Sequence, residues 1–139
     1  MRLIKTLTPL LAGFWMLSTL GAAMANDISD GRRIYDQYCA SCHGPKGEGN
    51  GPLASSLTTP PANLRELSQR YGNPLPEDQI ARFIDGRSDV KAHGPRDMPV
   101  WGTRFYVESN GNKAEVHERI RKLVAYLQSI QSGTRTAMR

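Results

Sequence analysis

The chain has 139 residues, with 18 Lys plus Arg against 13 Asp plus Glu, and two cysteines. Its first 25 residues carry Arg2 and Lys5, an apolar stretch from Leu7 to Leu20, and then Ala23-Met24-Ala25, the small-x-small pattern at which signal peptidase cuts. The 114 residues left after such a cut suffice for one domain and not for two, and their formal charge of +3 excludes a nucleic-acid binder on charge grounds.

The predicted elements in chain order are helical. Apolar positions 28, 34, 35, 38 and 42 give a first helix from Ile28 to Cys42, with Asp27 as its N-cap and Gly44-Pro45 as its stop. Asn63 and Glu66 are spaced as a capping box for a shorter helix from Leu64 to Arg70. A third helix starts at Pro76, runs through Ile80, Phe83 and Ile84, and ends at Gly86. Asn112 followed by Glu115 opens the last one, whose stripe of Val116, Ile120, Leu123, Val124, Leu127 and Ile130 closes at Gly133. The stretches Gly44–Pro61, Gly72–Pro76 and Gly94–Gly111 read as connections, and no run alternates as a strand does. The expected organisation is a signal at 1–25, one all-α domain at 26–131 and a polar tail at 132–139. About a third of residues 26–139 are apolar, a thin core for loops of that length, so something else is needed for them to wrap around.

Cys39-Ala40-Ser41-Cys42-His43 is the attachment sequence of a c-type haem. Two thiols three positions apart on one turn reach the two vinyl groups on one edge of a porphyrin and form thioethers. The next residue then aims its imidazole at the iron. A thioredoxin-type redox pair sits on a βαβ unit, which this chain lacks. A disulfide across so short a loop adds little stability. Zinc needs further ligands, and the remaining histidines are His93 and His117. The expected cofactor is therefore one covalently attached haem c, held by Cys39, Cys42 and His43.

Those residues, with Gly44, Gly47, Gly49, Gly51-Pro52, Pro60-Pro61, Ile84-Asp85-Gly86-Arg87 and Asp97-Met98-Pro99-Val100-Trp101-Gly102, resemble the bacterial class I mono-haem c-type cytochromes of the periplasm. The resemblance runs from Gly31 to about Ile130. It implies a small cytochrome c-like fold of three to five helices and long loops around the haem, with the first and last helices crossing where Gly31 leaves room for Tyr126 or Leu127. It implies that the Pro52 carbonyl accepts the N–H of His43. Trp101 either hydrogen-bonds a haem propionate, as its counterpart in the family does, or packs on the porphyrin.

Met98 is the expected sixth iron ligand. It lies 55 residues after His43, is flanked by Pro99, and leaves only Met138, in the terminal tail, as another methionine after residue 25. His93 is the competitor on the same stretch. Tyr35, Tyr38, Phe83 and Tyr126 read as core around the cofactor; Arg87, Lys91 and Arg96 read as a solvated basic face or a rim for docking. The functional expectation is a monomeric periplasmic electron carrier, not itself an enzyme. Its partners are a donor dehydrogenase or membrane complex and an acceptor oxidase or reductase; it binds no nucleic acid and meets a membrane only through partners or an uncut signal. The alternatives are a haem subunit of a larger redox enzyme, and a haem enzyme or gas-binding protein with an open sixth site.

Overall fold

The computed structural model describes residues 12–87 and 98–132. Among these are six α-helices and two 3-10 turns, and no strand: α1 Ala12–Tyr38, α2 Ala40–His43, α3 Leu67–Tyr71, α4 Glu77–Asp85, α5 Trp101–Glu108 and α6 Lys113–Ser129, with the 3-10 turns at Ala54–Ser56 and Leu64–Glu66. The fold is small and all-helical, as the sequence predicts, with one helix more than the upper expectation.

Two differences account for that. The first helix does not start at Asp27. Between Ala12 and Asp27 the chain holds no proline and runs through Ala22, Ala23, Met24 and Ala25, so α1 extends back to Ala12 through Gly21 and Gly13, and the Asp27 carboxylate meets Arg121 Nη1 at 2.8 Å instead of capping. The same helix stops at Tyr38, and Cys39 separates it from the single turn of α2. The second difference is α5, in a stretch the sequence assigns to a connection. Trp101 and Phe105, four apart, stack with ring centroids 5.9 Å apart and supply the buried face.

Of the remaining elements, the 3-10 turn Leu64–Glu66 and α6 carry side-chain caps, while α3 and α4 begin without a side-chain cap bond. The Asn63 side chain accepts from the Arg65 N–H at 3.1 Å. The Asn112 side chain accepts from the N–H groups of Ala114 and Glu115, while the Glu115 carboxylate pairs forward with Arg119 Nη2 at 2.7 Å rather than back to the cap. α6 ends at Ser129, and Gly133 lies outside the described residues.

α1 packs most extensively on α6. At Gly31 the two backbones are so close that a Cβ would fall on the Lys122 carbonyl oxygen and stand 2.9 Å from Tyr126 Cβ. Around this crossing lies the core, in which Tyr35 and Phe105 are fully buried with Val116, Ile120, Leu123, Val124, Tyr126 and Leu127; Ile80 and Ile84 of α4 close it from the side.

Candidate functional site

Cys39 follows the last residue of α1, and its main-chain N–H still donates to the Tyr35 carbonyl at 2.8 Å. Its own carbonyl then accepts from Cys42 and His43 N–H groups, at 3.2 and 2.9 Å, which winds the five residues into one tight turn. Two further bonds hold the turn from outside: Gly51 N–H donates to the Cys42 carbonyl at 3.0 Å and Leu53 N–H to the Ser41 carbonyl at 2.9 Å. Both cysteines are free thiols and half-buried. Burial, with Cys42 close by, pushes the Cys39 thiol up to about 12, so it stays protonated at neutral pH.

His43 Nδ1 lies 3.0 Å from the Ala62 carbonyl oxygen. An imidazole that donates there carries its proton on Nδ1 and keeps the Nε2 lone pair for a metal. Burial holds the His43 pKa below its ordinary value, against the opposing pull of the Ala62 bond, and favours the same neutral form. The resemblance implies the Pro52 carbonyl as the partner of this N–H, whereas the contact here is to Ala62. Pro52 is exposed, between the two residues that brace the turn, and the ring nitrogen pairs with Ala62, beyond Pro60-Pro61. Proline restricts the residue path leading to that carbonyl, and the Pro60-Pro61 pair was the sequence signal available for it.

The other expected site residues lie on α5 and just before it. Met98 is 40 % exposed and is followed by Pro99 and the half-buried Val100, which is the N-cap position of α5. Trp101 is half-buried and meets the Tyr38 ring edge-on, centroids 5.6 Å apart. Tyr38 is anchored in turn: its hydroxyl donates to Glu108 Oε2 at 2.7 Å, a carboxylate that also accepts from Arg104 and Arg119. The Arg104 guanidinium first, and the Tyr38 hydroxyl next, hold Glu108 below its ordinary range. Glu108 and Ala62 are the site-supporting residues the sequence reading missed. His93, Lys91 and Arg96 lie outside the described residues.

A cavity of about 620 Å³ lies elsewhere, between α4 and α6, over Ala81, Val116 and Ile120 and edged by His117. None of Cys39, Cys42, His43 or Met98 lines it. The chemistry is at the turn, where the donor set fits a covalently attached haem: two unpaired thiols one helical turn apart and an imidazole already oriented by its other nitrogen.

A family model described as cytochrome C oxidase, cbb3-type, subunit III matches residues 26–127. No curated protein and no solved structure matches the chain.

Proposed function

The chain belongs to this family of c-type cytochromes, and on that premise we propose that it shuttles single electrons in the periplasm through one haem c, with His43 and Met98 as the iron ligands and residues 1–25 as the export signal. Family membership carries the coarser statement, a covalently attached haem c in electron transfer. The observation that supports His43 is its Nδ1 contact with Ala62, which leaves Nε2 as the donor nitrogen.

When bound, the haem supplies a one-electron iron couple. The chain's own residues do the rest. Cys39 and Cys42 tether, and the bonds from Gly51 and Leu53 keep both thiols on one rigid turn. His43 stays neutral, and its ring is held by the Ala62 carbonyl. Met98 offers a soft thioether, which favours the ferrous state and raises the potential relative to a second imidazole. With His43 and Met98 both committed to the iron, no substrate would reach it, and the protein would act as a carrier without catalysis of its own. Among the described residues no helix is long and apolar enough to cross a membrane.

That the matched family is a subunit of an oxidase favours one second reading: the same domain as a fixed haem subunit of a larger redox complex. Electron donors and acceptors in either reading are redox proteins.

The ligand experiment decides the central claim. The ferric holoprotein should show the weak long-wavelength sulfur-to-iron charge-transfer band, and its ferrous form should exclude carbon monoxide. Met98→Ala should abolish the band, lower the potential and admit carbon monoxide, whereas His93→Ala should change none of these. A wild-type ferrous protein that binds carbon monoxide rapidly at neutral pH would replace this reading with that of an open-site haem protein.

A further inference from the structure

Arg87, read from the sequence as part of a solvated basic face or a rim for docking, is exposed yet held in place by Asp85. α4 ends at Asp85, and Gly86 takes the chain through a left-handed conformation (φ 67°) that reverses its path. Arg87 then folds back on Asp85. Its Nε lies 2.7 Å from Oδ1, its Nη2 2.7 Å from Oδ2, and its main-chain N–H donates to Oδ1 at 3.1 Å. Two parallel bonds fix the plane of the guanidinium as well as its position, which a lysine ammonium cannot do.

The first turn of α5 lies against that plane. Gly102 is buried, and a Cβ there would fall on Asp85 Oδ1 and stand 2.6 Å from Arg87 Nε. The helix backbone therefore rests directly on the ion pair, with no side chain between. Residues on either side of Gly102 are fastened as well: Arg104 N–H donates to the Val100 carbonyl at 3.3 Å, and Trp101 stacks on Phe105. Met98 and Pro99 enter the helix immediately ahead of this seat.

We infer that the Asp85–Arg87 pair is the positioning element for the sixth ligand: it seats the start of α5 and thereby fixes where Met98 is delivered to the haem iron. The inference rests on the proposed reading of Met98 as that ligand. Its side chains are 22 % and 42 % exposed, so the pair can be removed without opening a hole in the core. That separates positioning from bulk stability.

The test uses the full holoprotein in four variants. Arg87→Lys keeps the charge and loses the fork; Asp85→Asn keeps the shape and loses the charge; Gly102→Ala inserts a methyl into the seat. Asp36→Asn, which breaks the exposed Arg32–Asp36 pair elsewhere on α1, is the control. The first three should weaken or abolish the sulfur-to-iron band, lower the midpoint potential and speed carbon monoxide binding to the ferrous form severalfold, with haem content and helical circular dichroism unchanged. The control should match wild type. Should Gly102→Ala fail to fold, Arg87→Lys still decides, because it alters only a partly exposed side chain. A wild-type band that survives in Arg87→Lys and Asp85→Asn, with carbon monoxide still excluded, overturns the inference while leaving Met98 as the ligand. A wild-type protein without the band overturns the ligand reading itself, and the inference with it.

Discussion

Tyr35 is fully buried, yet its hydroxyl donates to the Gly44 carbonyl at 2.5 Å, one residue past His43. The core is thereby tied to the attachment turn by a side-chain bond, in addition to the main-chain bond from Cys39 N–H to the Tyr35 carbonyl. The Gly44 carbonyl also accepts from Gly47 N–H at 3.1 Å, so deleting the hydroxyl does not orphan it. Tyr35→Phe should therefore cost about 1 kcal/mol, the net value of one hydrogen bond and not the larger penalty of an unpaired buried carbonyl. Denaturant unfolding of the holoprotein measures it, and a loss above about 3 kcal/mol would show that the bond carries more than its own weight. Sequence pattern identified Tyr35 as core because its spacing is helical. The partners of Tyr35, His43 and Tyr38 were not legible, because each lies across a turn whose path depends on the folded chain. The Cys39–His43 turn was legible because its chemistry is written in five consecutive residues.

Between elements, the caps at Asn63 and Asn112 and the stripe of α6 were visible in the sequence because each is a local signal of a few residues. The start of α1 and the whole of α5 were not. Asp27 looks like a cap until Arg121 is placed beside it, and α5 is held by the packing of its Phe105 on Tyr38 and by the Asp85–Arg87 seat more than by propensity. Charge also stitches α1 to α6. Arg121 meets Asp27 and Lys122 meets Asp30, each at 2.8 Å, and Arg121 also holds Glu118 at 2.7 Å. Hydrogen bonds from Arg121 lower the pKa of Asp27 and Glu118, and the bond from Lys122 lowers that of Asp30. A carboxylate depressed in the native state contributes stability that is fully present above its unfolded value, about 4, and is lost as pH falls through the native one. The holoprotein should thus hold its urea midpoint from pH 7 to 5 and lose it below about pH 4. In Asp27→Asn with Asp30→Asn that loss should be shallower, and the midpoint at pH 7 only slightly lower, since the pairs lie at the surface and are partly solvated.

Across the whole molecule the apolar core is one-sided. It gathers α1, α4, α5 and α6, whereas from residue 44 to residue 74 the buried positions are Gly44, Gly47 and Gly51 alone. These 31 residues of chain with no buried side chain do not repay their own ordering, so the cofactor must complete this half. Cys39→Ala with Cys42→Ala should give a chain that is protease-sensitive throughout that stretch and lacks a cooperative melt; native helical content with a sharp transition would refute the argument. The contact of Gly31 with the Lys122 carbonyl has a consequence for timing. It joins two segments at opposite ends of the domain, so the core cannot close until both are in the same compartment. In a chain threaded across a membrane N-terminus first, Cys39, Cys42 and His43 arrive while the closing helix is still in transit. On the proposed export route the thiols would still be unpacked at that point, and the late arrival of α6 would set the interval open for haem attachment.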